Sequence, residues 1–210
     1  FMRIGGCFFP AIVMAGVMFM VLGCKSTMDV FSPDELRVIH SDNSSGLMRL
    51  CTVNVLNDSL LLRSKSAEVS KGMFGSPDFA VLTERMLATV MNPDNEGVGI
   101  AAPQVGVLRR VIAVQRFDKV GEPFEIYINP EITYYSEERQ TGAEGCLSVP
   151  GLWGRVERSK EITIRYRDGR TFEERCENVS GFTAVIFQHE FDHLNGRLYI
   201  DIASETEVKR

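Results

Sequence analysis

An excess of positive charge is missing from this chain. Its 210 residues carry 23 Lys and Arg against 28 Asp and Glu, a net charge of −5. No broad phosphate-neutralising face can be built from that balance, which argues against a nucleic-acid partner. The basic runs that exist, such as Arg109 and Arg110, are short and read as solvated surface. A cysteine framework is missing too. Cys7, Cys24, Cys51, Cys146 and Cys176 are odd in number and irregular in spacing, so a disulfide scaffold is excluded. There is no internal repeat, and the glycine-rich segment 97–106 has no Gly-Lys-Ser or Gly-Lys-Thr, so it is not a phosphate loop. Histidine is scarce. Of the three, His40, His189 and His193, two stand four residues apart.

What is present suits one domain with a short appendage. At 44% hydrophobic and 24% charged, the chain can bury a core and keep a solvated surface. Residues 4–24 carry no charge; Arg3 precedes them and Lys25 comes after. This resembles a secretory signal, and Val21-Leu22-Gly23-Cys24 resembles a lipoprotein processing box that would make Cys24 a lipidation site. The run is also barely long enough to act as an uncleaved anchor. Translation from Met48 is the third reading. Residues 25–47 carry Ser, Asp, Asn and Gly, with Ser41-Asp42-Asn43-Ser44-Ser45-Gly46 at the end, and read as a flexible linker. The domain is expected over 48–203, with a tail over 204–210.

Within the domain, apolar residues at helical spacing mark 79–91, with a cap from Ser76-Pro77-Asp78 and a break at Asn92-Pro93. The stretches 111–114 and 124–128 read as strands, and 161–167 alternates Ile162, Ile164 and Tyr166 on one face. Asp168-Gly169 signals a hairpin with a return strand over 171–177. A last helix runs from 181 or 182 to 194, capped by Ser180 and stopped by Gly196. The expected fold is α+β, with antiparallel or mixed sheets.

Three segments carry chemistry. In His189-Glu190-Phe191-Asp192-His193, positions i and i+4 share a helix face, so both imidazoles can reach one ion. Glu190 is badly placed as a third ligand and well placed to touch a metal-bound water. An open metal site needs a third protein ligand, and no histidine comes after His193. Cys146, in Glu144-Gly145-Cys146-Leu147-Ser148, is the upstream candidate. A lone cysteine is more often a small buried hydrophobe; Cys146 gains weight because the histidine pair is one ligand short. The third segment, 97–106, is rich in small residues, and its Gln104 offers an amide donor to a carbonyl oxygen.

Together and in this order, the segments resemble the peptide deformylase family. The family carries G-x-G-I/L-A-A-x-Q-x-G, E-G-C-L-S and Q-H-E-x-D-H-L-x-G, and residues 97–106, 144–148 and 188–196 match all three. The resemblance spans about 48–201. It implies a compact α+β domain with sheets around a central metal-binding helix. It also implies a metal-dependent hydrolase that removes the formyl group from the N-terminal formyl-methionine of new polypeptides, nascent chains at the ribosome. Cys146, His189 and His193 would hold the metal, usually Fe²⁺, with Zn²⁺ or Ni²⁺ as alternatives. Glu190 would be the general acid/base, and Gln104 with the Leu147 N–H would stabilise the oxyanion. Gly99 would present backbone to the substrate; Val98, Leu147 and Ile186 would form the methionine pocket. Glu144 and Arg158 are expected to pair and fix the Cys146 loop, with Asp192 orienting either a ligand or that arginine. Trp153 is either a wall of the substrate channel or a packing residue, and His40 is expected to stand aside.

Two rivals are a metalloprotease, which leaves Cys146 unexplained, and a lipid-anchored binding protein that keeps the metal fold without turnover. Membrane attachment through Cys24 and a cytoplasmic chain starting at Met48 remain open together.

Overall fold

The computed structural model describes residues 29–41 and 46–208. The apolar stretch and Cys24 lie outside the described residues. Among the described residues, no helix is long and apolar enough to cross a membrane.

The architecture is α+β. Five helices, α1 (Pro33–Ile39), α2 (Leu56–Leu62), α3 (Lys71–Phe74), α4 (Pro77–Val90) and α5 (Gly181–Leu194), surround two sheets among the described residues. The larger sheet joins β1 (Gly99–Ala101), β2 (Val111–Gln115), β3 (Phe124–Tyr135), β6 (Glu161–Asp168) and β7 (Glu174–Ser180) in that order. The smaller joins β4 (Arg139–Cys146), β5 (Val149–Ser159) and β8 (Glu205–Val208). All these pairings are antiparallel.

The apolar run of β2 has a simple cause: it is covered on both faces. Val111 and Ala113 enter a core with Leu82, Met86 and Val90 of α4. Ile112 and Val114 enter a second core with Ala184, Ile186 and Phe187 of α5. The large sheet is therefore sandwiched, and α5 is buried along most of its length. That burial needs polar partners inside. Gln188 provides one set: its Oε1 accepts from the Ser159 N–H at 3.0 Å, and its Nε2 donates to the Ser159 carbonyl at 2.9 Å. This ties α5 to the end of β5.

Local signals set the element ends. Ser76 Oγ accepts from the Phe79 N–H at 3.2 Å, and Pro77 opens α4. Ser180 is the residue before α5, but its side chain makes no cap hydrogen bond. Gly196 (φ +71°) closes α5 in the left-handed region, and a Cβ there would collide with the Arg63 carbonyl. The β6–β7 turn is longer than a two-residue hairpin, so β7 starts at Glu174 rather than at 171. Asp168 causes this: its Oδ1 accepts from the N–H groups of Arg170 (2.9 Å) and Thr171 (3.0 Å).

Three expectations are corrected. The flexible linker over 25–47 does not hold for residues 29–41, where α1 carries a capping box of Ser32 and Glu35. Phe31 and Ile39 are buried in the α4 core, and Arg109 binds Glu35 through two hydrogen bonds of 2.6 and 2.9 Å. Arg85 adds a bond to the Leu47 carbonyl at 2.9 Å. Arg109 and Arg110 are not solvated surface: Arg110 is only 8% exposed, its Nη2 donating to the Pro130 carbonyl at 2.9 Å. Part of the expected tail over 204–210 forms β8, which pairs with β5. The docking of α1 gives a test. Ile39→Ala is expected to lose about 2–5 kcal/mol of unfolding free energy, and a chain starting at Met48 should melt at lower temperature than one starting at 29. Equal urea midpoints for both altered chains and the parent would refute a stabilising role for this segment.

Candidate metal centre

The two histidines of α5 face the turn after β4. Their rings lie 5.1 Å apart at 67°. Cys146, the last residue of β4, brings its Sγ to 3.2 Å from His193 Nε2. One ligand atom from each of Cys146, His189 and His193 lies within 4.8 Å of the others. Sulfur and nitrogen ligands on one tetrahedral ion, at ~2.3 and ~2.1 Å, stand ~3.6 Å apart. The cluster is therefore the right size for one cation, and its donor set of one thiolate and two imidazoles fits a divalent transition metal.

Two of the three ligand residues, His189 and Cys146, are held from behind, whereas His193 Nδ1 is buried with no side-chain or backbone partner among the described residues. His189 Nδ1 donates to Glu144 Oε2 at 2.8 Å, which leaves Nε2 as the free lone pair. Glu144 in turn takes Arg158 Nε at 2.8 Å and Nη2 at 3.0 Å. Arg158 then reaches Asp192 Oδ2 at 2.5 Å. Burial alone would raise the Glu144 carboxyl, but the hydrogen bonds from Arg158 and His189 outweigh it and hold it at about 2. The expected Glu144–Arg158 pair is thus present, and Asp192 orients the arginine. Cys146 Sγ also receives the Ser148 N–H at 3.4 Å.

Gln104 enters from the short 3-10 turn after β1. Its Oε1 accepts from the Ala101 N–H at 2.8 Å, which fixes the amide flip and turns Nε2 toward the cluster, 3.5 Å from Cys146 Sγ. Glu190 is almost fully buried, and its Oε2 has no hydrogen-bond partner. Burial pushes its carboxyl up to about 7. Gly99 explains how the carboxylate fits: a Cβ there would stand 2.5 Å from Glu190 Oε1 and 2.8 Å from Ile186 Cγ2. The glycine is required by this approach of β1 to α5.

A cleft of about 530 Å³ opens onto the cluster, and Val98, Gly99, Leu147 and Ile186 all line it. His40 is elsewhere, bonded to Asp78 Oδ1 at 2.7 Å. Tyr199 escaped the sequence reading. Its ring stacks on His189 at 5.9 Å and 22°, and its hydroxyl donates to the Leu152 carbonyl at 3.0 Å. The only hint was Gly154, where a Cβ would meet Tyr199 Cε2 at 2.7 Å. The bland tripeptide around Tyr199 gives no such signal.

The polypeptide deformylase family model matches residues 51–209. A peptide deformylase of Leptospira biflexa is 41% identical over 155 residues, covering 70% of this chain and 85% of that protein. One of Desulforudis audaxviator is 42% identical over 146 residues, covering 69% of this chain and 88% of that protein. Solved structures agree. A class I type b peptide deformylase from Acinetobacter baumannii superposes with a TM-score of 0.67 at 36% identity, covering 74% of this chain and 98% of that one. The Thermotoga maritima peptide deformylase gives 0.65 at 38% identity, covering 76% and 99%. With the match running through β4, β5 and α5, the chain belongs to the peptide deformylase family, whose members are metal-dependent hydrolases of N-terminal formyl groups.

Proposed function

We propose that the formyl group of N-terminal formyl-methionine is hydrolysed in the cleft between β1, α5 and the turn after β4, with each residue of that cleft in a distinct role. Cys146, His189 and His193 hold one divalent ion. When bound, the ion polarises the formyl carbonyl and lowers the pKa of water at the site. Glu190 takes the proton from the attacking water and returns it to the leaving amine, so that formate and a free methionine amine depart. The Nε2 of Gln104 and the N–H of Leu147 donate to the oxygen that gains charge. Gly99 presents backbone to the peptide, and Val98, Leu147 and Ile186 receive the methionine side chain.

The observation that carries this reading is the Glu190 carboxylate, buried, with one oxygen unpartnered beside a three-ligand cluster. A buried carboxyl oxygen without a protein partner carries a desolvation cost that a substrate or solvent group in the cleft offsets. A metalloprotease reading leaves Cys146 without a role and is tested in the same assay. The protein should release formate from formyl-Met-Ala-Ser, leave internal peptide bonds intact, stop on chelation and recover with one equivalent of divalent ion. Cleavage of internal bonds, or a Cys146→Ala variant that keeps its ion, would overturn it.

The finer assignments rest on the resemblance. The resident ion is Fe²⁺, to be checked by metal analysis after anaerobic purification. The substrates are nascent chains at the ribosome. Attachment to a membrane through a lipidated Cys24 is tested by mass spectrometry of the mature N-terminus, where a start at Met48 would rule it out.

Gly99 supports a further expected result. Gly99→Ala forces Glu190 aside, and a displacement near 1 Å at a catalytic group costs about a hundredfold in rate. The variant should keep its metal and lose turnover by about that factor; a rate within threefold of the parent would contradict the role of the close approach.

A further inference from the structure

Three successive backbone N–H groups before α2 go to three different places. The Cys51 N–H donates to the Gln104 carbonyl at 2.8 Å, and the Val53 N–H donates to the Ser148 carbonyl at 2.9 Å. Between them, the Thr52 N–H donates to Asp58 Oδ2 at 3.2 Å. Asp58 stands in the first turn of α2 and is buried, although its other partner, Arg49, is exposed. Arg49 Nη1 reaches Asp58 Oδ2 at 2.7 Å, and Nη2 reaches Oδ1 at 2.9 Å. These bonds from Arg49, with the Thr52 N–H, hold the Asp58 carboxyl below the usual carboxylate range. A charged acceptor therefore fixes the middle of the segment 51–53, and its two ends hold the carbonyls of Gln104 and Ser148.

Those two carbonyls belong to the segments that supply the oxyanion donors. Gln104 carries the amide Nε2. Ser148 comes directly after Leu147, and its own N–H is fixed on Cys146 Sγ at 3.4 Å. The Gln104 turn comes after β1 of the larger sheet, whereas Leu147 comes after β4 of the smaller one. No shared strand ladder sets one donor against the other; residues 51–53 touch both. We propose that Asp58 is a positioning residue for the oxyanion site: through the Thr52 N–H it holds the segment 51–53, which keeps Gln104 and the Leu147 N–H in register. This rests on the function proposed above. Donors to a developing charge act by being in place beforehand, and a misplacement near 1 Å costs about a hundredfold in rate.

The test uses the metal-loaded protein and formyl-Met-Ala-Ser. Asp58→Ala should lower kcat by about ten- to a hundredfold while KM and metal content stay near the parent's, because an oxyanion donor acts in the transition state. Asp58→Asn keeps an acceptor for the Thr52 N–H and should recover most of the rate. The decisive comparison is made in a Gln104→Ala protein. There the further cost of Asp58→Ala should shrink to about threefold, since residues that act through one group do not add. An undiminished cost in that background, a parent-like kcat in Asp58→Ala, or loss of the ion would overturn the proposal. Amide hydrogen exchange is a second readout that does not depend on Asp58→Ala folding. In the parent, the N–H groups of Cys51, Thr52 and Val53 should all be protected, and in Asp58→Asn exchange should quicken at all three together. Unprotected Cys51 and Val53 in the parent, or a change confined to Thr52 in the variant, would overturn the proposal as well. Failure of the parent itself to release formate would instead sink the deformylase reading, so the two failures are distinguishable.

Discussion

Replacing Glu190 with alanine is expected to lower kcat on formyl-Met-Ala-Ser by about 10²–10⁴-fold, the range set by loss of a positioned general acid/base. Metal content should stay at one ion per chain, because Glu190 is not among the three grouped ligand residues. The size of the effect reflects where the carboxylate sits. It is 3% exposed, and no other group among the described residues bonds its Oε2, so that oxygen is free to meet a water or an amine in the cleft. The fold should tolerate the change well. Removing a buried carboxylate that has an unpartnered oxygen takes away a desolvation cost along with the catalytic group. A Glu190→Ala protein of unchanged or raised melting temperature and near-normal turnover would show that proton transfer runs through another group. A protein that also lost its ion would show that Glu190 belongs to the ligand set.

Reversing the charge at Arg158 should strike stability and metal binding together. The side chains of Arg158 and Glu144 are 5% and 6% exposed, and Asp192 closes the other side. A cation removed from between two buried carboxylates leaves both uncompensated, and breaking such a pair costs about 3–5 kcal/mol. Arg158→Glu adds a third negative charge and should lie at the upper end of that range. The damage travels to the ion through one bond: Glu144 no longer holds His189 Nδ1 in place. Loss of such an outer partner lowers metal affinity by about 10–100-fold. Arg158→Lys keeps the charge but not the two-pronged geometry, and it should fold while still binding the ion more weakly. Metal affinity is read by competition with a chelator, stability by urea denaturation of the metal-free protein. Parent-like affinity in both variants would disprove the link from Arg158 to His189.

The sequence reading and the structure part company in an orderly way. Helix α4 was legible because its apolar spacing and its Ser-Pro cap are local. The strand at 161–167 was legible for the same reason, since Ile162, Ile164 and Tyr166 alternate and all are buried. The stretch 29–41 looks like linker because its composition is polar, while its docking depends on two residues, Phe31 and Ile39, that fit a core made elsewhere. Arg109 and Arg110 were misread because adjacent basic residues look alike in a sequence. One meets Glu35, 74 positions earlier; the other meets carbonyls on two separate segments.

By itself, the order of residues determined the chemistry on offer: two imidazoles on one helix face, a carboxylate beside them, a cysteine and a glutamine in small-residue segments. It determined these because helical phase and residue type are properties of neighbours. Only the tertiary structure decided that a sulfur 47 positions upstream lies beside His193, that Glu144 grips His189, and that Gly99 must be bare for Glu190 to fit. Those are distances across packed elements. They are set by how α5 is buried against two sheets, which no local pattern encodes.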